Sequence, residues 1–513
     1  MKQTLLQAAT LWQLLERRAQ LTPDAPMLID GRKQLHLSFS QAVDIAERLA
    51  AGLYELGIGP GSQVTWMLPT GLPAVVTALA LARLGALQNP IISLYGEREV
   101  RTLLERNGST FLLIPEHVER DFPGMADSVC QQLAHPPKVI VMGEQIPQGR
   151  PANLPPAPSD GQAVRWVYYT SGTTSEPKGA CHTDETLMIG GRNLALAMRA
   201  DASDIGSIAF PIAHIGGAMY TSMVLASGMS MVLLDRFQAQ EAADIFRRYG
   251  VTLTGGSTAH YQALLAEQRR YPSGVLLPEL RLLSGGGAPK PPELYHQIRR
   301  EMGCRFTHNY GMTEVPLICA GAMDDSDEQL ASTEGVPVDD IELRIVRADG
   351  SIAEVGEAGE VRVRGRAVFK GYTDAQLNEA AFDAHGFFCT ADLAFRRPDG
   401  RVVLTGRLKD VIIRKGENIS AKEIEDLLFT HPKVADVAVI GLPDESRGER
   451  VCAVVELKAG VLAFSFEEMT AFFIASQVMR QKIPEQLEIV EQLPRNETLK
   501  KVLKHVLRER FSY

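Results

Sequence analysis

The residues most ready for chemistry stand between Tyr168 and Gly179, a stretch that reads Tyr-Tyr-Thr-Ser-Gly-Thr-Thr-Ser-Glu-Pro-Lys-Gly. Thr170, Ser171, Thr173 and Thr174 surround Gly172, so a loop here offers backbone N–H groups and hydroxyl donors together, and Lys178 adds a cation. Such donors suit phosphate oxygens. The strict P-loop order of Gly, four residues, then Gly-Lys-Ser/Thr does not begin at Gly172, because the lysine follows Pro177 and precedes Gly179. A P-loop NTPase is therefore disfavoured. Taken alone, the same cluster reads equally as a Ser/Thr/Gly turn between strands.

Further along, Tyr310-Gly311-Met312-Thr313-Glu314 places an aromatic plane, a hydroxyl and a carboxylate within five residues. A hard cation bridging phosphates needs an oxygen ligand such as Glu314. His214 follows an apolar run and precedes Gly216 and Gly217, where it could lie beside a carboxylate; a lone histidine after a strand is also commonly a hydrogen-bonded structural residue. The glycines Gly285, Gly286 and Gly287, followed by Ala288 and Pro289, put few side chains in the way of a flat ligand.

These groups need a scaffold, and the apolar periodicity supplies one. Helices are expected at Leu11 to Leu21, Phe39 to Leu56 and Leu72 to Leu84, with strands at Val64 to Leu68 and Ala86 to Ile92. The alternation continues through Phe111 to Ile114, Val139 to Val141, Ile205 to Pro211, Met229 to Leu234, Val251 to Gly255 and Leu280 to Ser284, which signals an α/β layer with a parallel sheet. A proline-rich segment from Gln145 to Gln162 reads as an exposed connector. After Gly335 the texture becomes short alternating strands with turns, hence antiparallel β. Beyond about Lys409 a compact βα pattern of its own begins. The expected fold is α/β, with a large multi-layer N-terminal domain, 1–408, of mixed sheets and a β-rich portion, hinged to a small α+β domain, 409–513.

At 513 residues two or more domains are expected, each able to bury a large core. The formal charge of −9 is dispersed and not held in runs, so nucleic-acid binding gains no support. Six cysteines lie far apart without a CxxC pair, which fits reduced thiols better than disulfides or a zinc site. No signal peptide and no membrane-spanning segment is read, so the expectation is a cytoplasmic protein, monomer or homodimer.

Because these motifs fall in a set order, the chain resembles, over essentially its whole length, the adenylate-forming superfamily, and within it the AMP-forming acyl-CoA synthetases. The resemblance implies ATP, Mg²⁺ and coenzyme A as cofactors or co-substrates and a small carboxylic acid as substrate. It implies that Thr170, Ser171, Gly172, Thr173, Thr174 and Lys178 hold phosphates, that Gly287, Ala288, Pro289, Asn309, Tyr310 and Gly311 pack about the nucleotide, and that Thr313 contacts the α-phosphate. Glu314 would hold the metal, and Asp392, in Phe388-Cys389-Thr390-Ala391-Asp392, would accept the ribose hydroxyls with Arg407 nearby. Lys409 would be the hinge, and Gly416 would line the path of the thiol arm. His214 would be the carboxylate gate, in a pocket with Ile215, Gly216, Gly217, Gly285, Gly286, Val315, Pro316 and Leu317. These residues are small or apolar, which favours an uncharged aliphatic, alicyclic or aromatic acid.

Three glycines usual in the family stand here as Ser175, Ala391 and Leu499. The family's catalytic-lysine loop ends Thr/Ser-Gly-Lys-aliphatic. Counting without a gap from Pro494 gives Lys500 and keeps Thr498 in register; asking for an aliphatic successor gives Lys501 before Val502, with one inserted residue. The ungapped count is preferred, so Lys500 is the expected catalytic lysine. The alternatives are a non-catalytic binding protein on this fold and an enzyme that delivers its acyl group to a carrier protein.

Overall fold

The computed structural model describes residues 5–116, 120–143, 146–170, 177–271, 273–288, 290–415, 417–496 and 499–512. The expected phosphate-loop residues Ser171, Gly172, Thr173, Thr174 and Ser175, together with Pro289, Gly416 and Thr498, lie outside them.

Apolar spacing and local caps set the helices. Leu11–Leu21 opens on Thr10, whose hydroxyl accepts from the Gln13 amide, and Phe39–Glu55 opens on a Ser38/Gln41 capping box. Leu72–Leu84 is buried nearly all round and stops at Gly85 in the left-handed conformation. It serves as a core element between layers, where each fully buried leucine contributes about 1.5–3 kcal/mol.

Three sheets make the large domain, two of them mostly parallel. One runs, in spatial order, Lys138–Met142, Phe111–Pro115, Gln63–Trp66, Leu87–Pro90, Val164–Thr170 and Lys178–Thr183, with only the last pair antiparallel. The other has nine strands, and its parallel centre includes Leu253–Gly256, Leu282–Gly286 and Arg305–Tyr310 as neighbours. Parallel neighbours send their C-terminal ends to one edge, which is where an α/β sheet offers a crevice. A third, antiparallel sheet follows (Ile341–Val346, Gly359–Gly365, Phe388–Arg396, Val402–Arg407), with Phe369, Tyr372, Phe382 and Phe388 packed ring against ring beside it.

The architecture is mixed α/β, with a small domain after the large one. The third sheet ends at Arg407, a 3₁₀ turn spans Leu408–Asp410, and the strand Val411–Arg414 opens the small domain's own sheet. We place the domain boundary in that turn. Among the described residues no helix is long and apolar enough to cross a membrane, and all six cysteines are free thiols.

The proline-rich segment runs over the surface, as expected of an exposed connector, and is also strapped to the helix beneath it. Pro147 and Gln148 lie so close over Gly52 of Phe39–Glu55 that a Cβ there would come 2.5 Å from the Pro147 carbonyl carbon, and the Gly149 amide donates to the Arg48 carbonyl. A missing side chain in the helix admits the strap, a fit that proline content alone does not announce.

Candidate functional site

A cleft of about 1680 Å³ opens where the sheet ends meet the small domain, and most of the singled-out residues line it. Thr170 and Lys178 are register partners at the mouth of the Val164–Thr170/Lys178–Thr183 hairpin, so the two ends of the segment expected to bind phosphate are fixed by strand pairing. The Lys178 ammonium stands 5.4 Å from the Tyr372 ring centroid, and the Tyr372 hydroxyl donates to Glu314 Oε1 at 2.6 Å. Lysine, phenol and carboxylate thus form one group. Nothing in the sequence marks Tyr372, because what brings it here is the long-range bridge between Ala180 and Tyr372 and the aromatic cluster beneath.

Thr313 and Glu314 are presented by a turn closed by Met312 and Val315, whose amides and carbonyls pair at 2.9 and 3.2 Å. His182, fully buried, donates from Nε2 to the Thr313 carbonyl at 2.7 Å, and burial holds its pKa down to about 4, so it stays neutral. Val315 was expected in the acid pocket; its side chain instead turns into the core with Tyr310 and Ile318. Pro316 and Leu317 do reach the cleft.

On the opposite wall the Tyr310 hydroxyl donates to Asp392 Oδ2 at 2.9 Å, and Arg407 Nε pairs with Oδ1 at 2.7 Å. Asp392 and Arg407 are register partners on adjacent strands. With its hydroxyl committed, Tyr310 has only its ring to offer a ligand, and each Asp392 oxygen keeps a lone pair for a further donor. Asn309, the preceding residue, also lines the cleft, its side-chain amide held by a hydrogen bond to Ser284 Oγ at 2.8 Å.

His214 caps the helix Ile215–Ser227, its Nδ1 accepting from the Gly216 amide at 3.1 Å. The ring proton therefore sits on Nε2, and burial lowers the pKa to about 4. The group is a neutral donor. Gly216, Gly285, Gly286, Gly287, Ala288, Gly311 and Ile215 also line the cleft. Gly217 does not leave room for an acyl chain as expected, because a Cβ there would meet the Ile212 carbonyl oxygen at 2.0 Å.

A model of the AMP-binding enzyme family matches residues 15–373, and one of that family's C-terminal domain matches residues 423–500. The chain belongs to the AMP-binding enzyme family. It is 32% identical to a salicyl-AMP ligase / salicyl-S-ArCP synthetase of Mycobacterium tuberculosis, over 94% of this chain and 88% of the relative. It is 28% identical to a medium-chain fatty-acid–CoA ligase of Escherichia coli, over 98% and 90%. Its fold matches ATP-bound MatB from Rhodopseudomonas palustris with a TM-score of 0.86 at 26% identity, covering 98% of this chain and 99% of that one; apo MatB gives 0.77 at 25% identity with the same coverage. The arrangement of this chain is the nearer to the ATP-bound form.

The family's pattern bears on two departures. Ala391 stands where a glycine is usual, and its φ is +58°, so the backbone keeps the left-handed turn and the methyl carries the strain. In the lysine loop the left-handed residue, where the family's glycine belongs, is Lys500 at φ +53°. Lys500 is exposed and faces the His260 side, where its charge adds to the burial that lowers the His260 pKa. Lys501 lines the cleft, near enough to Arg407 and Asp392 for both charges to act on it. The ungapped count put Lys500 in the cleft; an inserted residue, absorbed by the turn that Asn496 closes, puts Lys501 there. Burial first and Arg407 second pull the Lys501 pKa down to about 8, against Asp392.

A nucleotide and its metal fit this donor set. Among the described residues no three His, Cys, Asp or Glu side chains gather into a metal site, so a magnesium ion would share Glu314 with phosphate oxygens, the usual way this ion is held. In the Leu408–Asp410 turn, Asp410 Oδ1 accepts from Arg508 at 2.9 Å, and burial lowers the Lys409 pKa.

Proposed function

We propose that this adenylating enzyme is an ATP-dependent carboxylic acid:CoA ligase that works in two half-reactions. In the first, a carboxylate oxygen bonds to the α-phosphorus of ATP as the bond to the pyrophosphate oxygen breaks. Two anions must meet, so the chain supplies positive charge and donors: Lys178 and Lys501 as cations, Thr313 as a hydroxyl donor, and the His214 Nε2–H as a neutral donor on the acid side. Glu314 would hold the magnesium of MgATP, which neutralises phosphate charge. Asp392 and Arg407 fix the sugar, and the Tyr310 ring takes the base.

In the second, the small domain turns about Lys409. Lys501 withdraws, Gly416 would line the path of the thiol arm, and the CoA sulfur attacks the acyl carbon as the bond to the AMP oxygen breaks. The observation that carries the reading is that Lys501 from the small domain and His214, Glu314 and Asp392 from the large one line a single cleft. Ile215, Met219, Pro316 and Leu317 make its acid end apolar, which supports an uncharged aliphatic, alicyclic or aromatic acid.

A carrier protein as acceptor is the second reading, favoured by the 32% identity to the salicyl-S-ArCP synthetase. A pyrophosphate-release screen of carboxylic acids with and without CoA separates the two. Acid-dependent release that turns over to acyl-CoA and AMP supports the ligase; release that stalls at acyl-AMP despite CoA sinks it in favour of the carrier.

A further inference from the structure

Leu499 occupies the slot beside the lysine loop's left-handed residue and points inward. A Cβ built on Gly287 would stand 2.7 Å from Leu499 Cδ1, so the leucine fills the volume that this glycine leaves free. Leu499 lines the cleft and packs against the large-domain core that contains Ile215, Met219, Tyr220 and Leu317, four residues that themselves line the acid end. The loop geometry fixes this direction. Asn496 Oδ1 accepts from the amides of Leu499 and Lys501 at 3.2 and 2.9 Å, and the Asn496 amide donates to the Lys501 carbonyl at 2.9 Å. In that closed turn Leu499 and Lys501 face the cleft and Lys500 faces solvent.

We propose that Leu499 is a specificity-determining residue: a wall of the acid pocket contributed by the small domain and present only while Lys501 is docked. The proposal rests on the cleft being the acyl-adenylating site. A large-domain wall would act in both half-reactions. A wall carried on the lysine loop arrives and leaves with Lys501, so it screens acids when they are activated and is gone when the thiol attacks. The bulk of acid that the enzyme accepts is then limited in the first step and not in the second.

The test measures ATP–pyrophosphate exchange with benzoate, 2-naphthoate, hexanoate and decanoate, and thioester formation from the same four acids supplied as ready-made acyl-AMP. In Leu499→Ala the kcat/KM ratio of the larger to the smaller acid in each pair should rise about tenfold or more in exchange, the scale set by added methylenes in an apolar pocket. The ratio in thioester formation should not move. Leu499→Met should keep the wild-type ratios, since it refills the space. Exchange that falls equally for all four acids would overturn the proposal and leave Leu499 a mere holder of the loop. An equal ratio change in thioester formation would also overturn it, because the wall would then persist in both states. Wild-type protein that exchanges with none of these acids while activating no other acid in the screen would instead defeat the reading of the cleft itself, and the assignment of Leu499 with it.

Discussion

Lys500 holds its backbone at φ +53° with its side chain in solvent, and by doing so it turns the next residue, Lys501, toward Asp392 and Arg407. Two adjacent lysines therefore stand in different settings, one exposed at a left-handed backbone and one lining the cleft. Lys501→Ala should lower ATP–pyrophosphate exchange on the order of 10²-fold or more, the usual loss when one stabilising charge is removed from a phosphoryl-transfer site. Thioester formation from supplied acyl-AMP should persist. Lys500→Ala should leave exchange within a few-fold of wild type, and a severe exchange defect in Lys500→Ala with a mild one in Lys501→Ala would reverse the assignment.

The same lysine sets a pH limit. Burial lowers its pKa to about 8, so Lys501 loses its proton well before an exposed lysine would. The cation is present below that value and lost above it, so kcat/KM for adenylation should fall as pH rises through about 8. His214 and His182, each held near 4, should contribute no limb between pH 6 and 8. In Lys501→Arg, whose guanidinium keeps its charge, the alkaline limb of the residual exchange should disappear; its persistence would assign it to another group.

Asp392 takes one hydrogen bond from Tyr310 and an ion pair from Arg407, and it is buried. Asp392→Asn should mainly raise the KM for ATP, since a hydrogen bond to a charged acceptor is worth about 1.5–3 kcal/mol. Tyr310→Phe should cost about 1 kcal/mol in the same measurement, because it removes one donor and leaves the ring. An unchanged KM for ATP in Asp392→Asn would remove the aspartate from the nucleotide site.

Ala391 offers a stability test. Its φ of +58° strains an alanine by about 1–2 kcal/mol, while glycine gives back part of that gain through unfolded-state entropy. Ala391→Gly should therefore raise the thermal unfolding midpoint slightly, opposite to the usual sign for Ala→Gly in a strand. A lowered midpoint would mean that the turn is not strained.

Much of the scaffold is legible from local pattern. Ile341–Val346 and Leu72–Leu84 have the bounds that periodicity gives, because each is a patterned run closed by turn residues or glycine. The order of the motifs carried the family. What local pattern could not give is what depends on partners far along the chain. Tyr372 reaches Glu314 through a bridge to Ala180 far back in the chain, and Val315, one residue past Glu314, turns inward because the Met312–Val315 turn closes tightly. For the two lysines the sequence points both ways, the ungapped count to Lys500 and the aliphatic successor Val502 to Lys501, and the left-handed backbone at Lys500 that separates them is visible only in the structure.

The central claim, that a carboxylate oxygen attacks the α-phosphorus of ATP, leaves a signature in the products. With an acid identified by the screen and labelled with ¹⁸O at both carboxylate oxygens, mass spectrometry of the products after CoA-dependent turnover follows those atoms. One labelled oxygen should appear in AMP and none in pyrophosphate, the other staying in the thioester carbonyl. Label in pyrophosphate, or AMP free of label while acyl-CoA accumulates, would contradict an acyl-adenylate intermediate in this cleft.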